Sequence, residues 1–90
     1  MNKQASLHRW EQMRNPEEEN FLILFNDDFN TFEHVIKSLV EICGHDSVQA
    51  EQCALLAHFT GSCEVRAGNI TVLNMMKKRL NEKGLECEVI

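Results

Sequence analysis

Hydrophobic residues fall into three rhythms along the chain, and each rhythm predicts a different element. Phe21-Leu22-Ile23-Leu24-Phe25 is a continuous apolar run. It is too short for a typical helix and is followed by turn formers, so it predicts a strand whose two faces are both at least partly covered. Phe32, Val35, Ile36, Leu39, Val40 and Cys43 then recur at i, i+3, i+4, i+7, i+8 and i+11. This is the stripe of an amphipathic helix and makes Phe32 a core residue. Asn30 or Thr31 caps it, with Glu33 three residues after Asn30 as in a capping box, and Gly44 stops it. A second helix starts at Asp46 or Ser47 and carries a stripe of small side chains, Ala50, Cys53, Ala54 and Ala57, before Gly61. Small residues let a neighbour approach closely or leave room for a guest. Cys63-Glu64-Val65-Arg66-Ala67 alternates with the period of a half-buried strand. Gly68-Asn69 opens a third helix with Ile70, Leu73, Met76 and Leu80 on one side, and Lys77, Lys78 and Arg79 near the end where the helix dipole favours cations. Gly84 ends it, and Leu85 to Val89 alternates again as a last strand.

The order β-α-α-β-α-β predicts an α+β domain, a three-stranded antiparallel sheet with three helices packed on one face. Ninety residues suffice for one such domain. Residues 21–90 form it. Residues 1–20, with Pro16 and the acidic run Glu17 to Glu19, are expected to be a flexible tail. Leu7, Trp10 and Met13 fall three apart, so the tail is either a short amphipathic helix or disordered until bound.

Charge and composition narrow the function classes. A net charge of -5 argues against binding to nucleic-acid phosphates, which needs clustered Lys and Arg. No run of about 18 apolar residues is present to span a membrane. Met1 to Trp10 lacks the apolar segment of a secretory signal, which points to the cytoplasm. Cys43, Cys53, Cys63 and Cys87 make no C-x-x-C pair and no zinc-finger spacing, so they are expected to be buried structural thiols, with no metal and no cofactor.

On residue type alone, Asp27 and Asp28 are turn and cap residues, and His58 is a surface or dipole partner near a helix end. His34 and His45 have no partner pattern and are expected at the surface. A hydrolase using Asp27 or Asp28 with His58 lacks a serine or cysteine nucleophile in recognisable register. A metal site from the same three residues is equally weak, because acceptors for an ammonium resemble metal ligands.

The run Asn26-Asp27-Asp28-Phe29-Asn30-Thr31-Phe32-Glu33 after a strand, with Ala57-His58-Phe59-Thr60-Gly61 at a helix end, resembles the ClpS-type adaptor family. The resemblance covers residues 21 to 90. It implies a binding protein, not an enzyme, that captures the free α-amino group and first apolar side chain of a protein and passes it to a Clp family AAA+ ATPase. By this resemblance Asn26, Asp27 and His58 hold the amino group. Asn30, Phe32, Val35, Ala54, Ala57 and Leu85 line the pocket for the first side chain. The chain departs from the family pattern at Asn30 (usually Thr), Thr31 (usually Pro), Phe32 (usually Met) and Ala54 (another Met). Thr71, Leu73 and Met76 replace the usual acidic-then-lysine face of the third helix. A module that keeps the fold without amino-terminus recognition is the alternative.

Overall fold

The computed structural model describes residues 20–90. The expected flexible tail, with its alternative short helix on Leu7, Trp10 and Met13, lies outside the described residues apart from Asn20. Asn20, placed in the tail by the sequence, is the first residue of a strand.

The elements follow the expected order: β1 (Asn20–Phe25), α1 (Phe32–Cys43), α2 (Ser47–Thr60), β2 (Ser62–Gly68), α3 (Ile70–Glu82) and β3 (Cys87–Val89). The sheet order is β2-β1-β3, with both pairings antiparallel. β1 is therefore central, which explains its unbroken apolar run. Leu22 and Leu24 are buried, while Phe21, Ile23 and Phe25 on the opposite side are half-buried. Leu22 and Leu24 join Leu39, Ile42, Leu73, Leu80, Leu85 and the four buried cysteines in one core.

Helix ends carry the chemistry expected of them. Thr31 caps α1 by accepting from the His34 N–H, so Thr31, and not Asn30, supplies the cap. Asp46 caps α2 through the Gln49 N–H and Asn69 caps α3 through the Thr71 N–H. Gly61 ends α2 at φ +99°, a left-handed conformation that disfavours any side chain.

Four expectations need correction. Phe32, a core residue by periodicity, is 43% exposed. α1 turns its Leu39–Ile42–Cys43 side inward instead, with Ser38 buried and its hydroxyl satisfied by the His34 carbonyl. His45 is 5% exposed, not at the surface, and its Nε2 lies 2.8 Å from the Val65 carbonyl oxygen, which requires that nitrogen to donate. His34 is half-buried, with Nε2 2.7 Å from the Lys83 carbonyl oxygen. Leu73 is 1% exposed and belongs to the core, so it is no part of an outer face of α3. Among the described residues, no helix is long and apolar enough to cross a membrane.

The cysteines are free thiols. Burial pushes Cys43 and Cys87 up to about 11 and Cys53 higher still. A thiol held in its neutral form is a small apolar packing unit and a poor nucleophile.

Candidate functional site

The sharp end of β1 fixes the site. The Phe25 N–H donates to the Glu86 carbonyl and the Asn26 N–H to the Gly61 carbonyl, at 2.9 and 3.0 Å. These two bonds pin the start of the Asn26–Thr31 loop between the approach to β3 and the end of α2. His58 sits one turn back from that end.

Within the loop, Asp27 organises its neighbours. Its Oδ1 accepts from the backbone N–H groups of Phe29 and Asn30 at 2.9 and 2.7 Å, and its Oδ2 accepts from Asn30 Nδ2 at 2.9 Å. This is an Asx turn, the geometry that makes Asp common in such loops. Burial pushes the Asp27 carboxyl up, but the bonds from Asn30 and Phe29, together with the His34 charge, outweigh it and hold the group below its ordinary 3.8. Asp27 is therefore an anion at neutral pH.

Beside the loop lies a cavity of about 250 Å³, lined by Asp27, Asp28, Asn30, Thr31, Phe32, Val35, Ala54, Ala57 and His58 together with Leu24 and Phe25 from the end of β1. Its volume lies just below the roughly 300–1,000 Å³ of small-molecule sites, a size suited to one large side chain. Ala54 and Ala57 form its α2 wall; both are almost fully buried, and their small side chains keep the space open. Phe32 and His58 stand together at the edge, their rings edge-to-face with centroids 5.2 Å apart. Phe59 also meets the His58 ring edge-to-face, with centroids 5.1 Å apart. Phe29 and Phe59 are 95% and 78% exposed, which gives this end of the molecule an unusual concentration of solvent-facing aromatic surface.

The structure brings Asp27, Asn30, Phe32, Val35, Ala54, Ala57 and His58 to one cavity. Two expected residues lie elsewhere. Leu85 is 2% exposed and part of the core, because the turn after Gly84 tucks it under the sheet and helices. Asn26 is exposed and does not line the cavity; its backbone stitches the loop to Gly61. Sequence reasoning missed Leu24, Phe25, Asp28 and Thr31 as lining residues. The signal for them was position, since Asp28 and Thr31 lie in the loop and Leu24 and Phe25 just before it. Asn30 lines the cavity as expected, yet its amide is committed to Asp27 and to the Gly84 carbonyl, 2.9 Å away.

Chemically, the lining offers an anionic carboxylate, a second carboxylate and an imidazole beside apolar side chains. An ammonium brings three donors and no acceptor, and needs such an acceptor set. Among the described residues, no group of three or more His, Cys, Asp or Glu side chains is placed to hold a metal ion.

A family model described as ATP-dependent Clp protease adaptor protein ClpS matches residues 15–88. No curated protein matches the chain. Among solved structures, the chain is similar to Agrobacterium tumefaciens ClpS2 bound to L-phenylalaninamide, with a TM-score of 0.75 at 20% identity, covering 82% of this chain and 96% of that one. At that identity the likeness speaks for the fold.

Proposed function

The chain belongs to the ATP-dependent Clp protease adaptor protein ClpS family, and from that premise we propose that it binds the free α-amino group and bulky apolar first residue of a substrate protein and delivers it to a Clp family AAA+ ATPase–protease. One observation carries this reading: an anionic loop, Asp27–Asp28, and an imidazole, His58, share a rim with an apolar hollow of side-chain size. An α-amino group has an unperturbed pKa of about 7.7–8.0, so it is mostly cationic near neutral pH. It sits one bond from the Cα that bears the first side chain. A ligand that places charge and carbon this close together fits a site that does the same. The ligand of the Agrobacterium protein, L-phenylalaninamide, joins an α-amino group to an aromatic side chain in this way.

Each group has a role. Asp27 supplies negative charge and a remaining lone pair. His58 accepts through a ring nitrogen in its neutral form. Asn26, at the hinge of the loop, offers its side-chain carbonyl from outside the cavity. Charge-assisted bonds contribute about 1.5–3 kcal/mol each, and burying a Leu or Phe side chain about 1.5–3 kcal/mol. Offset by association costs, these contributions suit micromolar affinity, about -8 kcal/mol. Binding of that strength lets an adaptor release its cargo.

Two experiments test the two halves. Fluorescent peptides that differ only in their first residue should bind in the order Phe or Leu well ahead of Ala and Gly. Equal binding across the series refutes capture of the first side chain. Co-sedimentation with a Clp AAA+ ATPase, followed by ATP-dependent breakdown of a Phe-initiated protein, tests delivery. Cargo binding without ATPase binding would favour a free-standing recognition module.

A further inference from the structure

Asn30 joins two parts of the chain that are 54 residues apart. Its Nδ2 lies 2.9 Å from Asp27 Oδ2 and 2.9 Å from the Gly84 carbonyl oxygen. Both partners are pure acceptors, so only the amide nitrogen fits between them; the flipped rotamer would set oxygen against oxygen twice. Both hydrogens of the amide are therefore spent, in diverging directions, which fixes its rotamer. Asp27 is fixed in turn. Oδ1 is held by two backbone N–H groups and Oδ2 by Asn30, leaving the carboxylate no free rotation.

The other end of this strut is the turn that closes α3. Adjacent carbonyls of that turn are met by side chains from the site's own loop and helix. Gly84 O takes Asn30 Nδ2 and Lys83 O takes His34 Nε2. Carbonyls at a helix end lack intrahelical partners, so such donors anchor well there. Gly84 holds φ +84°, and a Cβ added there would come within 3.9 Å of Asn30 Oδ1.

We propose that Asn30 is a positioning residue for ligand capture: it holds the Asp27 carboxylate in its binding orientation by bracing it against the Gly84 turn, so that the acceptor is set before an ammonium arrives. The inference rests on the reading of the site as an amino-terminus binder. A group held beforehand loses less freedom on binding, and that is where the affinity comes from. Asn30 thus acts through Asp27, although it was expected as a pocket wall.

A double-mutant cycle tests this with a Phe-initiated fluorescent peptide. Asn30→Ala in the native chain should weaken binding about tenfold, and in the Asp27→Ala background by less than about twofold. Equal losses in both backgrounds overturn the proposal. Asn30→Thr, whose single hydroxyl hydrogen serves one acceptor only, should fall between, and it stands in if Asn30→Ala does not fold. A second readout needs no ligand. The carboxyl carbon resonance of Asp27, followed through acid titration, should show its midpoint move upward in Asn30→Thr and Asn30→Ala. The titratable groups on the surrounding elements are Asp28 in the same loop, Glu33 and His34 on α1, His58 on α2 and Lys83 after α3. All are unchanged in these variants, so the shift belongs to Asn30. An unmoved midpoint refutes the brace. Should no peptide bind even the native chain, capture fails as a reading, and the Asp27 titration still decides whether Asn30 holds the carboxylate.

Discussion

The imidazole of His58 stands edge-on to the ring of Phe32, with centroids 5.2 Å apart and planes at 68°. The contact bridges α1 and α2, and both residues line the cavity, so the residue proposed to accept from the ligand is packed against another lining residue. Aromatic pairs of this geometry are worth about 0.5–1.5 kcal/mol beyond their buried area.

Phe32→Ala should therefore act on binding more than on folding. With 43% of Phe32 already exposed, unfolding in urea should shift by no more than about 1 kcal/mol. Binding of a Phe-initiated peptide should weaken about five- to tenfold, as the cavity loses a lining side chain and His58 loses its neighbour. Titration calorimetry and denaturation on the same sample separate the two effects.

Ala54 is 4% exposed and lines the cavity. Ala54→Leu should fill it. Added methylenes in a packed core cost about 1–3 kcal/mol, but here they enter space that is already empty. The expected outcome is a thermal midpoint within a few degrees of the native one, with affinity for Phe- and Leu-initiated peptides reduced at least about tenfold.

Asp27 contributes an acid limb to folding, and the ligand's amino group an alkaline limb to binding. The folded Asp27 carboxyl lies below its ordinary 3.8, so its contribution to stability is present above that value and lost as pH falls through the folded one. Asp27→Asn keeps an acceptor for the Phe29 and Asn30 N–H groups but removes the charge. Its stability should fall less steeply than the native chain's below about pH 4. On the alkaline side, peptide binding should decline above about pH 8 as the ligand's own amino group loses its proton. Urea titrations and anisotropy across pH check each limb.

His45 carries a structural load and does not line the cavity. It is buried, its Nε2 donates to the Val65 carbonyl of β2, and its Nδ1 has no partner among the described residues. His45→Ala should destabilise the fold by about 2–3 kcal/mol, through an orphaned carbonyl and a new void. Peptide affinity, measured well below the unfolding temperature, should stay within about twofold of native.

Most of the fold was legible because each element repeats its signal. The unbroken run of β1 marked the central strand, and Asp46 and Gly61 marked the ends of α2. The site was legible only in part. The family motif and the helix-end histidine named Asp27 and His58, and the small stripe pointed to Ala54 and Ala57. Periodicity assigned Phe32 to the core because a stripe cannot tell a packed position from one facing a hollow. It gave no sign of His45, whose burial depends on a carbonyl 20 residues away in β2. Leu85 was misplaced because the α3–β3 turn decides whether it faces cavity or core. The Asn30 bond to Gly84 spans 54 residues, beyond the reach of any local pattern.

The central claim is tested most directly by the affinity of one Phe-initiated peptide with a free amino group and of the same peptide acetylated there. The account predicts saturable micromolar binding for the free form and at least a hundredfold loss (about 2.7 kcal/mol) on acetylation, which removes the cation and two of its donors. Equal affinities would contradict it, because the Asp27–His58 rim would then have no part in recognition.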